Sequence, residues 1–175
     1  MNRTGITERL VTFANTLVGH WRGGLAHANI LTSVFFAGLT GAAVSDTAAV
    51  GTMLIPAMEK DGYDTDFAAA VTASSSIIGP TIPPSNMMVI YGSLMNVSIA
   101  GLFAAGFVPG FVLAGFLMIL AAFISYRRGY AKSVRTSIRD RILSLRHAII
   151  PLLMPIIILG GILSGVFTPT EAAAV

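Results

Sequence analysis

The stretch SSSIIGPTIPPSNMMVIYG, Ser74–Gly92, governs how this chain is read. Gly79, Pro80, Pro83 and Pro84 fall inside a run without Asp, Glu, Lys or Arg that extends from Phe67 to Tyr126. A segment this apolar belongs in a bilayer. Prolines lack the backbone N–H and cannot continue an ordinary helix. Unpaired backbone groups in hydrocarbon cost several kcal/mol each, so an interrupted helix at membrane depth persists only where it is buried in protein or lines a cavity. The segment therefore reads as two half-helices around an unwound centre at Gly79–Pro84, within a broken transmembrane helix at 65–97.

The composition agrees. Of 175 residues, 54% are hydrophobic and 11% charged, against roughly 25% charged in soluble domains. The mean hydropathy is +0.78. There is no cysteine, which excludes disulfides and thiolate metal sites. The fold class expected is an all-α integral membrane protein.

Two further charge-free stretches lie between Gly23 and Ser45 and between His147 and Thr170. A bilayer core of about 30 Å takes about 20 apolar helical residues. Phe107–Tyr126 and Ile149–Thr168 fit that length, and define a short helix plus transmembrane helix at 98–126 and a transmembrane helix at 148–168. The stretch 29–58 does not fit. It divides at Gly38, Thr40 and Gly41, turn-forming residues, into two halves too short to span. It reads as a re-entrant helical hairpin. The segment 1–28 reads as an amphipathic helix and loop, with Leu10, Phe13, Leu17 and Trp21 at helical spacing. That pattern suits a helix lying at the membrane interface and equally an ordinary packed helix.

The net charge is concentrated. Seven Lys or Arg lie between Arg127 and Arg146, against one acid, Asp140. This reads as a basic cytoplasmic loop at 127–147, with no nucleic-acid role. With that loop inside, Phe107–Tyr126 runs inward, the broken helix runs outward, and both hairpin ends are cytoplasmic. Thr168-Pro169-Thr170-Glu171 carries a capping box, which opens a truncated helix at 169–175 and suggests a piece of a longer protein.

The chemistry is expected at the two interruptions. Uncoiled carbonyls in broken helices bind cations, and half-helix N-termini attract anionic substrate. Thr72, Ser74, Ser75, Ser76, Thr81, Ser85 and Asn86 surround the break. Hard oxygen donors without a carboxylate cluster suit a monovalent cation such as Na⁺ better than a transition metal. Asp46 is the sole acid between Gly23 and Met58. With Ser45 it is a candidate cap of the hairpin's second helix, and an ionisable residue at membrane depth is also a functional candidate. His20, His27 and His147 have no metal-ligand spacing. A hydrolase using a serine and Asp46 is a distant alternative, since no Lys or His lies in the apolar stretches to activate a serine.

The segment GLTGAAVSDTAAVGTMLIPAMEKDGYDTDFAAAVTASSSIIGPTIPPSNMMVIYG closely resembles the large membrane subunit of TRAP transporters, the DctM-like proteins. MNRTGITERL, RGGLAHANIL and GILSGVFTPTEAAAV resemble the same family, so the resemblance extends along all 175 residues. It implies half of an inverted-repeat, elevator-type fold. It also implies a Na⁺-coupled symporter subunit of the bacterial inner membrane importing organic acids such as C4-dicarboxylates, and no enzyme. Its partners would be a small DctQ-like membrane subunit and a periplasmic DctP-like binding protein. Na⁺, as coupling ion and the only cofactor-like group, would fall on Thr40, Gly79, Thr81 and Pro84. Substrate would lie near Ser74, Ser75, Ser76 and Asn86. Thr40 and Ala42 stand where the family often has serine, and Asn86 where an apolar residue is more usual. A related carboxylate symporter without a binding protein is the alternative.

Overall fold

A computed structural model describes residues 5–130, 132 and 137–166. Its elements are α1 (Ile6–Val18), α2 (Gly24–Thr40), α3 (Ala43–Lys60), α4 (Thr65–Ser75), α5 (Ile78–Thr81), α6 (Asn86–Met95), α7 (Ile99–Arg128) and α8 (Ile138–Leu163). Among the described residues there is no strand, only an isolated bridge between Arg22 and Lys132.

The hairpin is present as α2 and α3. Its arms hold 17 and 18 residues, about 26 and 27 Å at 1.5 Å per residue. They are longer than the halves read from 29–58, because α2 begins at Gly24. The turn is also tighter. Gly38 and Thr40 are still helical, and the chain reverses at Gly41, whose φ of 57° ends α2, and Ala42, whose extended backbone precedes α3. Gly41 takes this left-handed conformation because it has no Cβ to clash with the backbone.

Helix α2 is the centre of the fold, packing against α1, α3, α4, α5, α7 and α8. Apart from His27 and Asn29 its residues are apolar or small on every side, the pattern of a fully surrounded helix. Gly38 lies directly beneath Pro155 of α8, where a Cβ would overlap the proline ring. The N-terminal helix α1 packs one face on α2, α3 and α8. Leu10 and Phe13 are buried with Phe36, Val50, Leu54 and Ala148, while Trp21 stays 47% exposed.

Three boundaries differ from those expected of the sequence. The region 98–126 is one helix, α7, continuous through Pro109. Ser98 starts it by accepting the Gly101 N–H at 3.2 Å. The basic loop 127–147 is shorter, because α8 starts at Ile138 with Ser137 as N-cap and carries Arg139, Arg141 and Arg146 in its first turns. The interruption expected at Gly79–Pro84 is displaced toward the C-terminus. Gly79, Pro80 and Thr81 lie in the single turn α5, and Pro80 fits there because the N–H groups of a first turn have no helical partner. The helix is interrupted at a turn, Ser76 and Ile77, between α4 and α5, and again over the longer run 82–85 between α5 and α6. Helix α8 ends at Leu163, and the capping box at Thr168–Glu171 lies outside the described residues.

Helices α7 and α8 are each long and apolar enough to cross a membrane. At one end of α7 the hairpin's open ends gather. Tyr63, Phe67 and Tyr130 stack together, and Arg22 lies over Tyr126 at 5.0 Å. Arg128 pairs with Asp64, which also accepts the Tyr130 hydroxyl at 2.8 Å. The Tyr130 and Arg128 hydrogen bonds hold the Asp64 carboxyl below its usual range.

Candidate functional site: the hairpin tip on the broken helix

The far end of the hairpin meets the interruption between α5 and α6. Asn86 Nδ2 donates to the Thr40 carbonyl at 3.2 Å. A Cβ on Gly41 would lie 2.8 Å from the Pro84 carbonyl oxygen and 3.1 Å from the Asn86 nitrogen. The two backbones are therefore in direct contact, and only glycine permits the approach. Ser85 is buried and caps α6, its hydroxyl accepting the Met88 N–H at 3.5 Å.

Beneath the tip, the Thr40 hydroxyl donates to Asp46 Oδ1, and it also approaches the Phe36 carbonyl at 3.5 Å. Asp46 is completely buried. Its Oδ2 has no hydrogen-bond partner among the described residues and faces Gly79, where a Cβ would lie 2.5 Å away. Neither Ser45 nor Asp46 caps α3. The helix begins at Ala43, so both fall in its first turn. Ser45 instead donates to the Ala42 carbonyl at 2.9 Å, and Asp46 ties down the tip through Thr40.

Of the four residues placed by resemblance at a cation, Thr40, Gly79 and Pro84 come together around Gly41 and Asp46. Thr81 lies in the same turn as Gly79, but its hydroxyl donates to the Ile77 carbonyl at 2.8 Å. Its own carbonyl packs on Gly106 of α7, 2.8 Å from where a Cβ would be. Of the four placed at substrate, only Asn86 is exposed at the tip. Ser74 faces an apolar cavity with Ile30, Phe67, Leu117 and Ala121. Ser76 is buried and donates to the Thr72 carbonyl at 2.7 Å.

Ser75 belongs to a buried polar seam that sequence reasoning missed. Asn29 Nδ2 donates to Thr72 Oγ1 at 2.7 Å, Ser33 donates to Ser75 Oγ at 3.0 Å, and Ser75 donates to Asn29 Oδ1 at 3.3 Å. The seam joins α2 to α4 and so fixes the hairpin on the broken helix. Its signal is Asn29 and Ser33, four apart and hence on one face of an otherwise apolar helix. Asn29→Leu is expected to lower the stability of the full-length protein by about 1 kcal/mol, since hydrogen bonds between membrane helices are individually modest. Thr72 and Ser75 keep backbone acceptors, which limits the loss. Thermal unfolding in detergent reads it.

Oxygen atoms dominate this junction, and among the described residues no group of three or more His, Cys, Asp or Glu side chains is placed to hold a metal. Such a donor set can take a weakly held monovalent cation but not a transition metal. Comparison with known proteins bears on what uses it. Residues 1–175 match the DctM component of the tripartite ATP-independent periplasmic transporters. The chain belongs to this TRAP permease family.

All of the chain aligns at 49% identity with the sialic acid TRAP transporter large permease protein SiaM of Vibrio cholerae, over 41% of that protein's length. It is 44% identical to the sialic acid TRAP transporter permease protein SiaT of Haemophilus influenzae, over 28% of its length. It is 43% identical to the C4-dicarboxylate TRAP transporter large permease protein DctM of Pseudomonas aeruginosa, over 41% of its length. The chain thus spans less than half the length of these TRAP permeases. Membership in a family of transporters, not enzymes, removes the hydrolase alternative.

Proposed function

We propose that this chain is part of the permease subunit of a Na⁺-coupled, binding-protein-dependent secondary transporter of the bacterial inner membrane. The observation that carries this reading is the seating of the Gly41 tip on Pro84–Asn86. A helix C-terminus presents unpaired carbonyls and attracts cations, whereas helix N-termini attract anions. At this junction the Thr40 carbonyl at the end of α2 meets Asn86, the Pro84 carbonyl abuts Gly41, the Thr40 hydroxyl bonds Asp46 beneath them, and α3 and α6 both begin beside them. Na⁺ would sit with the carbonyls and a carboxylate-bearing substrate with the N-termini.

The hairpin reads as re-entrant. Its open ends cluster with the charged end of α7, and its tip seats on Pro84–Asn86, next to the segment whose Thr81, Ile82 and Met88 pack on Gly106 and Gly110. Gly110 is 18 residues from Arg128, about 27 Å along the helix axis. The cargo is an organic acid, in keeping with relatives named for sialic acid and C4-dicarboxylates. The small membrane subunit and the periplasmic binding protein are the partners, in keeping with the tripartite family. The inverted repeat would be completed by sequence that the longer relatives possess.

The test is uptake by the full-length protein with its small subunit in proteoliposomes, with a loaded binding protein outside. Thr40→Ala is expected to raise the Na⁺ concentration for half-maximal uptake about tenfold, the equivalent of ~1.4 kcal/mol for one lost contact to a charged group. Thr40→Ser should restore it. Wild-type uptake at full rate in choline would overturn the coupling. Uptake without any binding protein would favour the simpler carboxylate symporter.

A further inference from the structure

The carboxylate of Asp46 is buried without exposure, and nothing in the tip geometry alone explains why an acid should be there. Its Oδ1 accepts the Thr40 hydroxyl. Its Oδ2 is unpartnered and turned toward Gly79. Among the described residues the only ion pair is Arg128–Asp64, at the opposite end of the hairpin, so no cationic side chain neutralises Asp46. Its position in the first turn of α3 gives it some support from the helix dipole. Yet the side chain bonds none of the free N–H groups there, and points across to α5 instead. A buried carboxylate with one oxygen unsatisfied is strongly unfavourable unless a positive charge comes to it.

We infer that Asp46 is the charge-balancing and positioning residue for the monovalent cation at the hairpin tip, acting through the Thr40 hydroxyl and its own free oxygen. The inference rests on the Na⁺-coupled reading above. By accepting the Thr40 hydroxyl's hydrogen bond, Asp46 leaves that oxygen's lone pairs free for a cation. Partners behind a ligand orient it and raise its basicity. The negative charge then makes the occupied junction neutral, so an incoming anionic substrate meets no uncompensated carboxylate. Gly79 is small because Asp46 Oδ2 takes the space of its Cβ.

The test uses the purified full-length permease with its small subunit, and its primary readout does not depend on transport. The Na⁺-induced rise in unfolding temperature is titrated with choline as the replacing ion, and Na⁺-driven uptake is measured in parallel. Asp46→Asn keeps the shape and an acceptor for Thr40 but removes the charge. It is expected to require at least tenfold more Na⁺ for half of the thermal shift, while its unfolding temperature without Na⁺ stays equal to wild type or rises. Gly79→Ala, which crowds Oδ2 and leaves the charge in place, is expected to weaken the Na⁺ response in the same direction, and it serves if Asp46→Asn does not fold. Thr40→Val combined with Asp46→Asn should be no worse than the poorer single variant, because the two act as a unit.

A wild-type Na⁺ titration in Asp46→Asn overturns the inference, as does one in Gly79→Ala. An Asp46→Asn protein that is destabilised without Na⁺ yet titrates normally would make the residue merely structural. If the wild-type protein shows no Na⁺-dependent shift at all, the Na⁺-coupled reading itself fails. If wild type and Thr40→Ala show the Na⁺ linkage and Asp46→Asn is normal, this inference alone fails.

Discussion

Replacing Gly41 by alanine is expected to abolish Na⁺-driven uptake by the full-length permease while leaving most of the fold in place. Two costs add at this residue. Its φ of 57° lies in the left-handed region, which costs an L-residue roughly 1–2 kcal/mol. The new Cβ would then fall 2.8 Å from the Pro84 carbonyl oxygen, 3.1 Å from the Asn86 nitrogen and 3.2 Å from Ser85 Cα. Those are backbone atoms and cannot rotate away. Crowding of this kind costs typically ~1–3 kcal/mol. The least expensive relief is for the tip to lift from the break, which separates the Thr40 and Pro84 carbonyls. The hairpin base, held by Tyr63, Phe67 and Tyr130, is remote from that movement. The expected result is a loss of uptake of more than tenfold with a smaller change in unfolding temperature. Gly62→Ala is the control. Gly62 has a φ of 82° but nothing within 4 Å of a Cβ, so it bears the conformational cost alone and should transport normally. Equal uptake by the two variants would show that tip seating does not matter.

The second large effect is expected at Gly106. Gly106 and Gly110 are four apart on α7 and form one smooth strip. A Cβ at Gly106 would lie 2.8 Å from the Thr81 carbonyl oxygen and 2.7 Å from Met88 Cε, and Gly110 is covered just as closely by Ile82. Small residues at this spacing let membrane helices approach to backbone contact, where association depends on van der Waals fit. Here the strip does more than join two helices. It supports the non-helical run 82–85 from behind while the hairpin tip presses from the front. Gly106→Leu would force α7 away from both Thr81 and Met88. It is expected to cost about 3 kcal/mol, at the upper end for overpacking, and to remove uptake through loss of the junction. Gly106→Ala should be intermediate, since Met88 is flexible but the Thr81 carbonyl is not. Both are read as unfolding temperature and uptake rate in the full-length protein. A Gly106→Leu protein with wild-type stability would mean that α7 does not bear on the break.

Features written into the local chain are legible in the sequence. Proline and glycine spacing announces an interruption within Gly79–Pro84, because a missing N–H terminates a helix wherever the helix sits. The charge-free runs announce membrane helices. The paired turn residues near Gly41 announce a hairpin. Boundaries are less legible, because a proline acts according to its surroundings. Pro80 has the chemistry of a breaker but begins a helical turn, and Pro109 lies in the middle of α7. The chemistry of one proline does not say whether its neighbours will tolerate it.

Hydropathy and backbone covalent chemistry act locally. They are enough to establish a helical membrane protein whose chain is interrupted twice among small hydroxyl residues. Which interruptions meet is a matter of tertiary packing. Thr40 reaches Asp46, Asn86 reaches the Thr40 carbonyl, and Ser75 turns to Asn29 and Ser33. Thr81, identical in kind to Thr40, turns to its own helix. The partner a hydroxyl finds depends on how closely two backbones approach. That distance is set by glycines at positions 41, 79, 106 and 110, which come to lie at one junction only when the chain has folded.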